Sequence, residues 1–108
     1  MIHYLLLKFK PGFFSDEVFS RAVDTFMGIG ETLEGIEDVQ VSRNCIPRDT
    51  NADLLVRMTL EGHEALEAYL EHPLHLGFVR QVQAHVEQRL TFRTTRRLRR
   101  ARPGSALF

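Results

Sequence analysis

The sequence of 108 residues predicts an α+β fold of the ferredoxin-like type, in which helices cover one face of an antiparallel sheet. Three observations favour it. Four segments have the apolar alternation or the short apolar runs of strands, and two regions repeat apolar residues at helical spacing. The helical regions follow the first and the third strand, which gives the order β-α-β-β-α-β. A chain of this length forms one domain with a single core.

The first strand and the first helix have clear boundaries. Residues 2–9 form a strand that is apolar on both faces, and Lys10-Pro11-Gly12 interrupts it. Ser15 predicts a helix start, since it can cap a first-turn amide and two acidic residues follow it. The two glycines at positions 28 and 30 predict that the helix loosens or ends there. The predicted apolar stripe of this helix consists of Val18, Phe19, Ala22, Val23, Phe26 and Met27.

The second and third strands follow as a pair around a polar turn. Residues 38–44 alternate between apolar and polar side chains, and residues 53–60 do the same more strongly. The third strand places Leu54, Val56, Met58 and Leu60 on one face.

A pair of helices and a last strand complete the order. Residues 61–70 predict a helix, and Pro73 opens a further one that continues through Val86. Residues 89–94 predict the last strand, with Leu90 and Phe92 pointing inward. The buried side of the first of these helices is predicted to be Ala65, Leu66, Tyr69 and Leu70.

The face of the sheet away from the helices carries too many apolar residues for a solvated surface. The helices can cover only one face, yet the first strand is apolar on both faces and Leu55 extends this to the third strand. Large exposed apolar patches are uncommon in monomers. We therefore predict a homodimer joined sheet to sheet.

Composition predicts a soluble cytoplasmic protein without a membrane partner. No apolar run approaches the ~20 residues that span a bilayer, and the N-terminus has none of the features of a signal peptide. A single cysteine, Cys45, cannot form an intrachain disulfide, so nothing indicates an oxidising compartment. A structural role is favoured for this thiol over a nucleophilic one.

The net charge of zero hides an asymmetry between body and tail. Removing six arginines near the C-terminus leaves eight basic residues against 14 acidic ones. Residues 96–108 are predicted to be a basic tail, either solvated or packed on the acidic surface of its own dimer. A nucleic-acid role is less favoured, because interleaved aromatic residues and a recognised motif are missing. The six arginines are Arg93, Arg96, Arg97, Arg99, Arg100 and Arg102.

The segment 69–78 concentrates the side chains that could do chemistry. Pro73 suits the first position of a helix, so His72 reads as its N-cap and His75 falls in its first turn. The helix dipole disfavours an imidazolium there, and a neutral imidazole can act as a general base. The alternative is that both histidines only cap and pack the helix start. His3, His72 and His75 lack a carboxylate or thiolate to complete a metal site, so no metal is predicted.

Two motifs carry a resemblance to a known family. Residues 1–10 are of the type Met-x-His-x-x-x-x-Lys-Phe-Lys, and residues 68–78 read Ala-Tyr-Leu-x-His-Pro-x-His-x-x-Phe. Over residues 1–95 the chain resembles the Dabb family, the stress-responsive dimeric α/β-barrel proteins. The resemblance implies a two-fold dimer whose two sheets form a barrel, in agreement with the apolar second face.

The resemblance also implies a site between sheet and helices. One branch of the family is the polyketide cyclase that makes olivetolic acid. In that enzyme a histidine and a tyrosine at the positions of His75 and Tyr69 are the catalytic residues. His75 would remove a proton alpha to a carbonyl in an intramolecular aldol condensation, and Tyr69 would hydrogen-bond the oxyanion. This set of residues needs no cofactor. The implied ligand-binding residues are His3, Leu5, Leu7, Val23, Phe26, Val56, Met58, Leu66, Leu70 and Phe78.

The leading hypothesis is a stress-responsive domain that binds a small apolar or aromatic ligand, with catalysis of the polyketide-cyclase type. One alternative is a non-catalytic stress or ligand-binding homodimer, in which Tyr69 and His75 only shape the pocket. A second alternative is a cofactor-free monooxygenase-like enzyme, since such enzymes also use dimeric ferredoxin-like barrels.

Overall fold

The computed structural model describes residues 1–95, and the predicted basic tail lies outside the described residues. None of the helices within the described range combines the length and the apolar character that crossing a bilayer requires. The elements are β1 (Ile2–Phe9), α1 (Asp16–Thr32), β2 (Ile36–Arg43), β3 (Leu54–Leu60), α2 (His63–Glu71), α3 (Pro73–Val82), a single 3₁₀ turn (Gln83–His85) and β4 (Val86–Thr94).

The four strands form one antiparallel sheet in the order β2-β3-β1-β4. Strands β1 and β3 lie in the centre, and β4 forms the edge beside β1. This arrangement, with the helices on one face, confirms the predicted ferredoxin-like α+β fold.

The core lies between the helices and one face of the sheet, here called the covered face. Central strands β1 and β3 turn alternate residues to it, and α1 packs Phe26 and Ile29 against them, both fully buried. The buried apolar residues of β1 and β3 on this face are Leu5, Leu7, Phe9, Leu54, Val56, Met58 and Leu60.

Helix α1 begins as predicted and ends later than predicted. The Ser15 hydroxyl caps it by accepting a hydrogen bond from the backbone N–H of Val18 at 3.2 Å. The prediction that the helix loosens or ends at its glycines is wrong, because α1 continues to Thr32. A Cβ on Gly30 would lie 2.8 Å from the Val39 side chain, and one on Gly28 would lie 3.0 Å from that of Leu74. The glycines therefore allow α1 to pack closely on β2 and α3.

Strand β2 begins two residues before the predicted start. Asp38 has a φ of +51°, and the pairing with β3 shifts register between Glu37 and Gln40. Such a bulge interrupts the alternation of side chains, so the sequence pattern becomes regular only beyond it.

Helix α3 is shorter than predicted. It ends at Val82, and Val86, which was expected within the helix, instead opens β4 opposite Phe9. The Gln83–His85 turn makes the change of direction.

The prediction that Leu90 and Phe92 point inward is wrong. They pair with Leu6 and Tyr4 of β1, and residues directly opposite in a sheet share a face. Both lie on the side away from the helices, with 54% and 61% of their surface exposed. An apolar alternation does not reveal which face is covered when both faces of the sheet are apolar.

This second face of the sheet, here called the far face, carries a cluster of apolar residues on its central and edge strands. The Tyr4 and Phe92 rings lie 6.0 Å apart, and Leu6 is flanked by a leucine on each neighbouring strand. The apolar residues of the far face are Ile2, Tyr4, Leu6, Leu55, Leu90 and Phe92.

Candidate functional site

The break between α2 and α3 is built around His72, which ends one helix and caps the next. Its Nδ1 accepts a hydrogen bond from the Leu74 backbone N–H at 3.0 Å. With Nδ1 as acceptor, the neutral ring carries its proton on Nε2 and donates it to the Thr32 hydroxyl oxygen, 2.9 Å away. The predicted N-cap is confirmed, and both ring nitrogens of His72 are occupied by structural contacts.

His75 lies in the first turn of α3, with its ring against the end of α2. Its Nδ1 is 3.0 Å from the Leu70 carbonyl oxygen. A carbonyl can only accept, so Nδ1 carries the proton and Nε2 keeps its lone pair. Burial lowers the pKa of His75, and the charge of Arg89 acts in the same direction, against the opposing effect of the Leu70 carbonyl. A neutral His75 with a free Nε2 is suited to accept a proton.

Tyr69 is fully buried in the last turn of α2, between two histidines. Its ring centroid is 4.7 Å from that of His75 and 5.4 Å from that of His3. Burial raises the pKa of the Tyr69 phenol, so its hydroxyl is a proton donor throughout the physiological range. Within the described residues, no side chain or backbone group is hydrogen-bonded to this hydroxyl, which leaves it free to bind a ligand.

His3 has the opposite tautomer to His75. Its Nδ1 accepts a hydrogen bond from the Arg93 side-chain Nε at 3.1 Å, so the neutral ring carries its proton on Nε2. Burial lowers the pKa of His3 to about 4, with the charges of Arg93 and His75 adding to the effect. His3, Tyr69 and His75 thus form a row of two donors and one acceptor, here called the polar row.

The polar row faces a cavity of about 490 Å³ that opens between α3 and the β1–β4 edge of the sheet. This volume falls within the usual range for small-molecule sites. Its apolar wall includes Leu5, Leu7, Phe26, Phe78, Val79 and Val82, and its β4 wall includes Gln88, Arg89 and Thr91.

The structure brings part of the predicted site residues together at this cavity. The lining contains His3, Leu5, Leu7, Phe26, Tyr69, His75 and Phe78. The other five lie elsewhere. Val56 and Met58 are fully buried in the core, Leu66 packs against that core, Val23 is half-buried on α1, and Leu70 is 39% exposed.

The sequence analysis missed the β4 wall of the cavity. Because β4 turns Leu90 and Phe92 to the far face, the intervening Arg89, Thr91 and Arg93 lie on the covered face. The polar–apolar alternation of β4 indicates that Arg89, Thr91 and Arg93 share one face of the sheet. It does not indicate whether that face is the one covered by the helices. Val79 and Val82, which share α3 with Phe78, also line the cavity and were not predicted as site residues.

A metal ion would need a group of ligating side chains that converge within residues 1–95. No group of three or more histidine, cysteine, aspartate or glutamate side chains in that range is placed to hold a metal ion. His72, one of the histidines weighed as a ligand, uses both ring nitrogens in capping.

Solved structures with the same fold come from several organisms. A dimeric ferredoxin-like protein of unknown function from Bacteroides fragilis superposes with a TM-score of 0.71 at 15% identity, covering 84% of this chain and 90% of that one. A Dabb family protein from Mesorhizobium loti gives a TM-score of 0.63 at 24% identity, with coverages of 84% and 90%. A hydroxynitrile lyase from Passiflora edulis gives 0.66 at 10% identity, with coverages of 91% and 95%. At these identities the likeness shows the fold alone.

The family is shown by the sequence itself. No curated protein sequence matches the chain significantly. The family model of the stress responsive A/B barrel domain matches residues 1–93, which is most of the chain. That range contains β1, β2, β3, all of β4 except Thr94, and the whole polar row. The protein therefore belongs to the Dabb family of stress responsive A/B barrel domains.

Proposed function

We propose that the protein binds a small apolar or aromatic molecule in this cavity and catalyses proton transfer on it, as a polyketide cyclase does. The observation that carries the proposal is the polar row. One histidine offers a lone pair, a tyrosine and a second histidine offer protons, and all three line one apolar cavity. This is the combination that enolate chemistry needs.

The residues support a balanced sequence of steps. His75 Nε2 takes a proton from a carbon next to a ligand carbonyl, and the Tyr69 hydroxyl donates a hydrogen bond to the enolate oxygen that forms. The carbanion attacks a second carbonyl of the same molecule, which makes a carbon–carbon bond and an alkoxide. The His75 imidazolium then returns its proton to that alkoxide. This is the aldol addition of an olivetolic acid cyclase-like enzyme, and it uses only side chains of the chain.

The local environment supports the role of each group. Since burial lowers the pKa of His75, the ring is in its basic form at neutral pH. The Tyr69 hydroxyl keeps its proton, because burial raises the pKa of the phenol. A positioned general base contributes about 10²- to 10⁴-fold to a rate.

A homodimer is part of the proposal. The far face exposes more than half of Leu90 and of Phe92, beside further apolar residues of β1 and β3. A second copy packed sheet to sheet would remove this surface from water. The related fold from Bacteroides fragilis is described as dimeric, which supports the same arrangement here. A monomer by light scattering at micromolar concentration would contradict the dimer.

A non-catalytic ligand-binding dimer is the second candidate. The observation that favours it is the partner of His75, which is the Leu70 carbonyl and not a carboxylate. A neutral carbonyl stabilises the imidazolium less than a carboxylate does. In this candidate Tyr69 and His75 only shape the pocket and orient the ligand.

A thermal-shift screen followed by turnover assays tests the function. The panel consists of hydrophobic phenols, polyketide mimics and acyl thioesters. A ligand at a hundred times its Kd adds about 2.7 kcal/mol of stability, which raises the Tm of a domain this size by several degrees. We expect a hit whose shift weakens in His75→Ala and stays unchanged in His63→Gln, a control on an exposed histidine outside the cavity.

Turnover then separates the two candidates. If the protein is an enzyme, Tyr69→Phe and His75→Gln lose turnover while both variants still bind the hit. Undiminished turnover in both variants contradicts the assigned roles. Binding without any turnover in the wild type favours the non-catalytic dimer.

A further inference from the structure

We propose that Arg89 forms an anion-binding end of the cavity, so that the ligand is an apolar molecule carrying a carboxylate. The inference rests on the proposed function and deepens it, because it names the chemical class of the ligand. It comes from the β4 wall of the cavity, which the polar row and the family motifs do not include.

The register of the sheet places Arg89 on the covered face opposite Leu7, away from His3. Directly opposite residues on one face have Cβ atoms about 4.5–5.5 Å apart. Arg89 lies opposite Leu7, whereas Arg93 lies opposite His3. The two arginines are four residue steps apart on the strand, roughly 13 Å along the backbone. A molecule held at Arg89 can therefore run along β1 and present its other end to the polar row.

Arg89 is the uncompensated charge of the cavity lining within residues 1–95. The lining contains two residues that are charged at neutral pH, Glu87 and Arg89. The Glu87 carboxylate is paired with the Lys8 ammonium at 3.6 Å. Arg89 takes part in no salt bridge or side-chain hydrogen bond with the described residues. Its charge acts to lower the pKa of both Tyr69 and His75.

Arg93, the other arginine on this side of β4, has a different task. Its Nε donates to His3 Nδ1, which fixes the tautomer of that histidine. Arg89 has no such partner among the described residues, so all the N–H donors of its planar guanidinium group are available. Such a fork matches a carboxylate with two parallel hydrogen bonds, and its single positive charge balances a monoanion.

The test compares an acid with its neutral isostere. The probes are 2-naphthoate and 2-naphthamide, which share an apolar body and differ in charge. Their affinities are measured by calorimetric titration of the full chain at low salt. We expect the wild type to bind the acid about tenfold more tightly than the amide, the usual effect of one charge-assisted hydrogen bond.

Matched variants assign the preference to one residue. Arg89→Gln should reduce the acid-to-amide ratio to about one without weakening amide binding. Arg80→Gln removes the same charge from an exposed position of α3 outside the cavity lining and should keep the ratio. Arg89→Lys, which keeps the charge without the fork, should retain part of the preference.

Two outcomes overturn this inference alone. Equal binding of acid and amide by the wild type removes the anion-binding end while leaving the pocket in place. A preference that survives in Arg89→Gln assigns it to another group. Failure of both probes, together with an empty thermal-shift panel, overturns the pocket proposal and this inference with it.

Discussion

At the scale of single residues, hydrogen bonds decide which nitrogen each histidine offers to the cavity. The Leu70 carbonyl leaves His75 with a free Nε2, and the Arg93 guanidinium leaves His3 with a protonated Nε2. Both rings lie close to the Tyr69 ring. The site therefore gains an acceptor and a donor from the same residue type, without a carboxylate at either ring.

His3 makes stability depend on pH in a defined window. Burial lowers the pKa of folded His3 from 6.5 to about 4. As pH falls through 6.5 the unfolded chain binds a proton that the folded chain refuses, so stability falls until the pH nears 4. We expect this group to cost about 2 kcal/mol of unfolding free energy between pH 7.5 and pH 5.0. Urea unfolding at the two pH values measures it.

The variant His3→Gln isolates this effect. Its unfolding free energy should fall less than that of the wild type between pH 7.5 and pH 5.0, even if the variant is less stable at pH 7.5. Arg93→Gln should also reduce this loss, because removing the neighbouring charge and the hydrogen bond to Nδ1 raises the pKa of His3. A wild-type loss that is equally large in His3→Gln would contradict the assignment.

The polar row and part of the apolar wall were predictable from the sequence, whereas the β4 wall of the cavity was not. Tyr69, His75 and His3 lie in short motifs whose local structure the sequence specifies, since a proline starts the helix and a strand alternation orients His3. Arg89 and Thr91 line the cavity only through the register of β4 on β1. Register depends on which face of the sheet is buried, and here both faces are apolar.

At the scale of elements, glycine occupies two different environments, a close helix–strand contact in α1 and an open position in α3. Gly30 lets α1 approach β2, whereas a Cβ on Gly77 of α3 would meet nothing within 4 Å. Sequence patterns treat both as helix breakers, because glycine lowers helix propensity in either place. Only packing distinguishes them, which is why the end of α1 was mispredicted while β1 and β3 were found nearly to the residue.

Substitution of these two glycines by alanine should have effects of opposite sign. Gly77→Ala should stabilise the protein by about 0.5–1 kcal/mol, because alanine favours the helix and the site is open. Gly30→Ala should destabilise it by about 1–3 kcal/mol, since the added methyl overlaps the Val39 side chain. Thermal and urea unfolding of the pair measure both. Equal signs would contradict the close approach of α1 to β2.

At the scale of the whole molecule, the two faces of the sheet have different roles. The covered face holds the core and the cavity, and the far face presents the surface proposed to bind a second copy. The fold class was predictable because the order of strands and helices allows few arrangements. The existence of a second apolar face was also predictable, from β1 alone.

A charge in the far face should separate the proposed dimer. Phe92→Glu places a carboxylate among apolar side chains, and burying it against a partner would be costly. We expect light scattering to give the mass of a monomer for this variant and of a dimer for the wild type. Leu74→Glu is the control, because Leu74 is 42% exposed on α3, on the helix side of the molecule. A dimer that persists in Phe92→Glu would place the interface elsewhere.

The alternation of β4 also has an evolutionary consequence. Arg89 and Thr91 face the cavity, and the residues between and beyond them, Leu90 and Phe92, face the opposite side. Point substitutions at Arg89 and Thr91 can therefore change the cavity without altering the far face. An insertion or deletion of a single residue within β4 would exchange the two rows and disturb both surfaces at once. Along this strand, a substitution changes one surface at a time, whereas a change of length alters both.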